Sequence, residues 1–195
     1  KEVFRLCPYC RTSRTKSDED EVKRLKKLME NGNAMAYCQL AGYYANGSDG
    51  LQQDRAKANE LWLKAGELGC AVGYYQLGLS YYLGQGVDRD EKKAKYYYEL
   101  AAIGGDVKAR HQLGCVEGHA ENYHRAYKHM IIAAKAGGKG SLEYVKIGFT
   151  NGLVTKDEYE CTLRAYYKST SDIKSDARDK AAAIFEEVRA QHQLH

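Results

Sequence analysis

The sequence predicts an all-α solenoid of stacked helix pairs, and three observations lead to this fold class. Aligned with itself, the chain repeats with a period near 36 residues, so that Leu77-Gly78 recurs as Leu113-Gly114 and, earlier, as Leu40-Ala41. Each unit contains two stretches with apolar residues at helical spacing, and glycines separate the two stretches. A fixed period of this size is typical of a solenoid, in which each unit buries its apolar face against its neighbours.

The clearest copy of the unit spans 71–106. Its first helix is expected from about Ala71 to Leu83, with Gly73, Leu77 and Tyr81 four residues apart on one stripe. At 100° per residue this stripe is the core face. The glycine-rich stretch that follows breaks the helix, because glycine readily adopts the positive φ of a tight connection.

The second helix of the unit is expected to begin after Asp90, whose short polar side chain suits the N-cap position. Asp54 and Asn122 occupy the same position in the neighbouring units. The helix stops at Gly104-Gly105. Its predicted packing face comprises Ala94, Tyr98 and Ala101.

The stretch LGLSYYLGQGVDRDEKKAKYYYELAAIGG closely resembles the Sel1-like repeat, a relative of the tetratricopeptide repeat with a longer connection between its helices. The resemblance is specific in the units that start at Ala34 and Ala71. It is shortened from Val107 to Gly138 and weak from Ser141 to about Lys168. It implies a right-handed superhelical solenoid of helix-turn-helix repeats that acts as an adaptor scaffold for protein complexes, without chemistry of its own.

The predicted organisation is a series of units with a cap at each end. It comprises an N-terminal tail (1–17), a capping helix (18–33), two full repeats (34–70 and 71–106), a shortened third repeat (107–140), a degenerate fourth repeat (141–170), and a C-terminal capping helix with a tail (171–195). The apolar stripe of the first cap comprises Val22, Leu25, Leu28 and Met29. The fourth unit retains only Ile147-Gly148, Gly152 and Asp157. The caps would cover apolar faces that the array leaves open.

Composition argues against several functional classes. The net charge of +4 is spread along the chain, whereas nucleic-acid binding usually needs a concentrated basic face. No apolar run approaches the roughly 20 residues of a transmembrane helix. The sequence contains no P-loop, Rossmann fingerprint, HExxH or GxSxG motif. We therefore expect no enzyme activity, no small-molecule substrate, no nucleic acid and no membrane, but a protein or peptide partner.

Cys7 and Cys10 have the spacing of two zinc thiolates, because a two-residue knuckle brings both sulfurs onto one ion. The stretch Cys-Pro-Tyr-Cys-Arg resembles the closing ligand pair of a RING finger. Two interpretations stay open: the chain is the back end of a longer RING-plus-repeat protein, or the resemblance is accidental. In this chain, a reduced dithiol in the tail is compatible with either. We expect no cofactor, and zinc only with further ligands from outside this chain.

The four later cysteines lie at different repeat positions and do not recur with the period. They are Cys38, Cys70, Cys115 and Cys161. Disulfides that staple every repeat would recur, so the pattern favours a reduced, intracellular and cytoplasmic protein.

The predicted binding surface lies on the first helix of each unit, which lines the concave side of a superhelix of helix pairs. Residues five and two before the repeat leucine, and two after it, point away from the core stripe. The predicted partner-binding residues are Met35, Cys38, Val72, Tyr75, Leu79, Lys108, His111 and Cys115. Several are apolar or aromatic, which is typical of a groove for a partner segment. The alternative is that helix tilt buries them.

Two functions follow from these patterns. The first is a non-enzymatic scaffold or adaptor that binds another protein through its concave face. The alternative is the substrate-recognition part of a RING-type E3 ubiquitin ligase whose zinc-binding domain is mostly missing from this chain.

Overall fold

The computed structural model describes residues 18–172. Within that range the chain forms nine helices and no strand. They are α1 (Asp18–Glu30), α2 (Ala34–Asn46), α3 (Arg55–Glu67), α4 (Ala71–Leu83), α5 (Glu91–Ile103), α6 (Val107–His119), α7 (Tyr123–Lys135), α8 (Lys139–Thr150) and α9 over 156–172. The predicted tail with Cys7 and Cys10, and the predicted C-terminal capping helix beyond residue 172, lie outside the described residues.

Each helix from α1 to α8 packs chiefly against the helix before it and the helix after it. This nearest-neighbour packing is the architecture of a helical solenoid, and it confirms the predicted all-α repeat fold. The handedness of the superhelix stays a prediction. Across 18–172 we find no helix with the length and apolarity that a membrane crossing requires.

The repeat leucines occupy equivalent places in successive units. Leu40, Leu77 and Leu113 are each the seventh residue of a 13-residue helix. Their exposed fractions are 3%, 3% and 2%. The 36-residue period therefore reports a buried position that each unit must fill with an apolar side chain.

Close packing within a pair depends on small residues. A Cβ atom at Gly78 of α4 would stand 2.7 Å from Cδ1 of the Tyr98 ring on α5. The Tyr98 side chain is buried together with Ala94 and Ala101, as predicted for the packing face of this helix. The glycine lets the aromatic ring lie directly on the α4 backbone.

Two of the three predicted N-caps form. Asp54 accepts a hydrogen bond from the Lys57 amide at 2.9 Å, and Asp90 accepts one from the Lys93 amide at 3.0 Å. Asn122 stands at the N-cap of α7 but makes no capping bond. Its Nδ2 instead donates to Glu117 Oε2 at 3.0 Å, because the shortened connection brings this buried carboxylate within reach.

The ends of the described array depart from the ideal unit. At the N-terminal end, the predicted stripe of α1 packs on α2, with Val22 and Leu25 buried. At the other end Val145, the seventh residue of α8, is fully buried, whereas Ile147 is 53% exposed. Ile147 therefore does not supply the core residue of the fourth unit. Asp157 lies in the first turn of α9, and the start of this helix is capped by Thr155 and Glu158, which bond reciprocally as a capping box.

Candidate partner-binding groove

A concavity of about 280 Å³ opens where the first helices of successive units meet. We call it the groove. It is lined by Tyr75 of α4, by Val107, Lys108, His111 and Gln112 of α6, and by Gly138, Lys139, Gly140 and Ser141 at the start of α8. Three units therefore contribute to one surface.

The groove brings together three of the predicted partner-binding residues: Tyr75, Lys108 and His111. Tyr75 is half-buried because one side of its ring packs near the Tyr98 ring, with centroids 6.1 Å apart. The contact with Tyr98 fixes one face of the Tyr75 ring, and Tyr75 also lines the groove. A fixed aromatic ring with one accessible side is a common anchor in protein recognition.

His111 joins α6 to α8 across the wall of the groove. Its Nδ1 lies 2.8 Å from Oγ of the buried Ser141, and its ring meets the Tyr144 ring edge-on with centroids 5.5 Å apart. Burial lowers the pKa of His111 below its ordinary value of 6.5. The imidazole is therefore neutral near pH 7 and acts here as a structural bridge rather than as a cation.

The charge of the groove comes from two lysines. Lys108 and Lys139 are both exposed, and neither has an ion-pair partner within 18–172. The N-cap of α8 is Gly138, which has no side chain that could accept a hydrogen bond from the free backbone amides of the first turn. The positive end of the α8 dipole and two unpaired ammonium groups thus give this side of the groove a positive potential.

The other predicted residues lie elsewhere. Met35 and Val72 are exposed and Leu79 is half-buried, but none of them lines the groove. Cys38 is buried with its sulfur against Cys70, so it is not part of the exposed surface. Cys115 lines a separate concavity of about 280 Å³ in the third unit.

Sequence reasoning missed Gln112, Lys139 and Ser141. The fourth unit lacks an acidic or amide N-cap, so the pattern places the start of its first helix near Ser141, whereas the helix begins at Lys139. Gln112 directly follows the predicted residue His111 on the same helix. Including the residue after each predicted position would have identified Gln112.

No metal centre occurs in the region that the structure covers. Among residues 18–172 no group of three or more His, Cys, Asp or Glu side chains could hold an ion. Cys7 and Cys10 lie outside this range, so the zinc prediction rests on the sequence alone.

Comparison with known proteins identifies the family. The family model described as "Sel1 repeat" matches residues 34–70, 71–106 and 107–138, which together make up more than half of the chain. The chain belongs to the Sel1 repeat family, and the resemblance seen in the sequence is confirmed. Sel1 repeats mediate protein–protein interactions, so the class of function is protein binding.

One relative and two solved structures are informative. The chain is 36% identical over 105 residues to the ERAD-associated E3 ubiquitin-protein ligase component HRD3B of Arabidopsis thaliana, and the match covers 53% of this chain and 16% of that protein. A Sel1 repeat protein from Oxalobacter formigenes superposes with a TM-score of 0.67 at 24% identity, covering 78% of this chain and 64% of the other. The protective antigen c5321 of uropathogenic Escherichia coli superposes with a TM-score of 0.64 at 29% sequence identity, and the match covers 77% of this chain and 33% of the antigen. The chain therefore spans only part of each.

Proposed function

We propose that the chain is a non-enzymatic adaptor that holds an extended, acidic segment of a partner protein in the groove. The observation that carries this proposal is that Tyr75, Lys108 and His111, which the repeat pattern alone predicts, line one concavity. A segment that lies along it would contact three successive units. Such a contact suits an extended peptide better than a compact ligand.

The acidic character of the segment follows from the charges. Lys108 and Lys139 line the groove, and among residues 18–172 neither ammonium group has an ion-pair partner, so each can bind a carboxylate of the segment. The amides at the start of α8 add a second attraction for anions. Tyr75 offers an aromatic face on which an apolar side chain of the segment would pack.

The test is a selection from a random peptide library against the purified chain, followed by affinity measurement on the selected peptides. We expect enrichment of Asp and Glu beside an apolar or aromatic residue. Lys108→Glu should weaken binding at least tenfold, because it converts an attraction into a repulsion. Lys128→Glu makes the same charge change at an exposed position of α7 outside the groove, and it should leave the affinity unchanged.

Capture of partners from the native source gives a second test. Wild type is compared with the Tyr75→Ala, Leu79→Ala double variant and with Tyr75→Ala alone. Because Tyr75 lines the groove and Leu79 does not, the single change should lose the same partners as the double change. Retention of every partner by the double variant would place the binding surface elsewhere.

A second candidate function is a substrate-binding component of a ubiquitin ligase. HRD3B is named as an E3 ubiquitin-protein ligase component, and its match covers 53% of this chain. The Cys7–Cys10 pair gives independent support, because it resembles the end of a RING finger. The test is zinc content of the wild-type protein beside a Cys7→Ser, Cys10→Ser variant. Zinc that is bound to the wild-type protein and lost from the variant would favour the ligase function. If neither protein binds zinc, the adaptor function is favoured.

A further inference from the structure

Two cysteines of the first repeat meet in its core. Cys38 is the fifth residue of α2, and Cys70 directly precedes α4. They are 32 positions apart in the sequence, yet their sulfur atoms lie 3.2 Å apart, and both side chains are buried. Both are free thiols.

The two sulfur atoms are in direct contact without a covalent bond. A disulfide has a sulfur–sulfur distance of about 2.05 Å, so the two atoms need to move together by only about 1 Å. Ala65 and the half-buried Trp62 pack around the pair. The backbone of the repeat therefore already holds the two side chains facing each other.

The other two matched repeats cannot form this bond. Counting from the first residue of each helix, the position of Cys38 is occupied by Tyr75 in α4 and by His111 in α6. The residue that precedes the next first helix, Cys70 in the first repeat, is Asp106 and then Gly138. The pair is a feature of the first repeat alone among the three, so the repeat period does not reveal it.

We propose that Cys38 and Cys70 are a disulfide-forming site that covalently closes the first repeat when the protein meets a disulfide oxidant such as glutathione disulfide. One cysteine thiolate attacks the oxidant, forms a mixed disulfide and releases one glutathione thiol. The second cysteine then attacks the mixed disulfide and releases the second thiol. Overall the two cysteines lose two hydrogens and are oxidised, and the oxidant is reduced to two thiols.

The bond would tie α2 to the junction between α3 and α4. It restricts the unfolded chain over the whole first repeat, and this is the main way in which a disulfide stabilises a fold. Burial and the neighbouring Cys70 thiol raise the pKa of Cys38 to about 12, so Cys38 is rarely a thiolate in the folded protein, and burial shields both sulfur atoms from an oxidant in solution. Oxidation of the folded chain should therefore be slow, and oxidation during refolding should be fast.

The experiment refolds the full chain in a glutathione redox buffer and maps disulfides by mass spectrometry of unreduced peptides. We expect a Cys38–Cys70 linked peptide and a rise in Tm of roughly 5–10 °C that dithiothreitol reverses. Cys70→Ala should abolish both effects. Cys161→Ser, which changes an exposed cysteine of α9, should keep both.

Three results would overturn the proposal: glutathione attached to Cys38 or Cys70 as the final product, Cys38 or Cys70 linked to another cysteine, or both recovered as free thiols. The urea midpoint of reduced Cys70→Ala, compared with that of reduced wild type, separates loss of the bond from loss of the fold. Because the site lies outside the groove, peptide binding by the reduced protein tests the adaptor function independently.

Discussion

The close packing of α4 on α5 predicts that the same substitution has opposite effects at two glycines. A Cβ added at Gly42 of α2 would meet no neighbouring heavy atom within 4 Å, whereas a Cβ at Gly78 of α4 would stand 2.7 and 2.8 Å from two carbons of the Tyr98 ring. In a helix interior, glycine to alanine stabilises by about 1 kcal/mol when space allows. Gly42→Ala should therefore raise the free energy of unfolding by about 0.5–1 kcal/mol.

At Gly78 the gain in helix propensity is opposed by overlap. Ordinary carbon contacts are about 3.5–4.0 Å, and Tyr98 is only 1% exposed, so its ring has little room to move. Forcing an extra methyl into such a core costs about 1–3 kcal/mol. Since the ring is confined, we expect the upper part of that range, and Gly78→Ala should lower the free energy of unfolding by about 1–2 kcal/mol.

Gly114→Ala provides a graded control, because its Cβ would meet the flexible end of Met130 instead of a ring. The free energy of unfolding of Gly114→Ala should lie between those of Gly42→Ala and Gly78→Ala. The assay is urea unfolding followed by far-ultraviolet circular dichroism, with the slope checked for two-state behaviour. Equal stabilisation by Gly42→Ala and Gly78→Ala would refute the close-packing argument.

Three further predictions concern buried polar groups. The Tyr98 hydroxyl is buried without a hydrogen-bond partner in the described part of the chain, so Tyr98→Phe should be neutral or stabilising by up to about 1 kcal/mol in urea unfolding. A clear loss of stability would mean that the hydroxyl has a partner. Lys95 Nζ lies 2.6 Å from Oε1 of Glu117, which is 3% exposed, and this hydrogen bond lowers the carboxyl pKa below 4.5. Glu117→Gln should therefore lower the free energy of unfolding by about 1–3 kcal/mol near pH 7. The loss is smaller than for a fully buried ion pair, because Lys95 is partly solvated. The wild-type advantage is fully present above pH 4.5 and disappears as the pH falls through the lowered pKa, so the two proteins should converge in acid. Equal free energies of unfolding for the wild type and Glu117→Gln at neutral pH would show that the Lys95–Glu117 pair is not stabilising. Finally, NMR titration of His111 should give a pKa below 6.5, and its contribution to stability should be lost as the pH falls from 6.5 through that value; a pKa above 6.5 would contradict its burial.

The fold was predictable because the burial requirement recurs. A unit that packs only on its neighbours needs an apolar residue at the same place each time, so Leu40, Leu77 and Leu113 reveal the register without any structure. The N-caps at Asp54 and Asp90 were predictable because they depend only on residues three positions away.

The errors arose where contacts join unlike positions. Periodicity compares each residue with its counterpart in the next unit, and it is blind to Cys38 meeting Cys70 across one unit. Asn122 resembles a cap in sequence, but its side chain bonds Glu117 on the preceding helix instead. Part of the groove was predictable from the repeat leucine. Lys139 was not, because its place depends on where an eroded helix begins.

The most direct measurement of the central claim is photo-crosslinking to a selected acidic peptide. Benzoylphenylalanine is placed at Gln112, which lines the groove, and in a second protein at Tyr96, a residue of α5 that is 56% exposed and outside it. If the groove holds the partner segment, the peptide should crosslink to the probe at position 112 and not at position 96. Crosslinking at 96 alone, or equally at both, would contradict recognition by the groove.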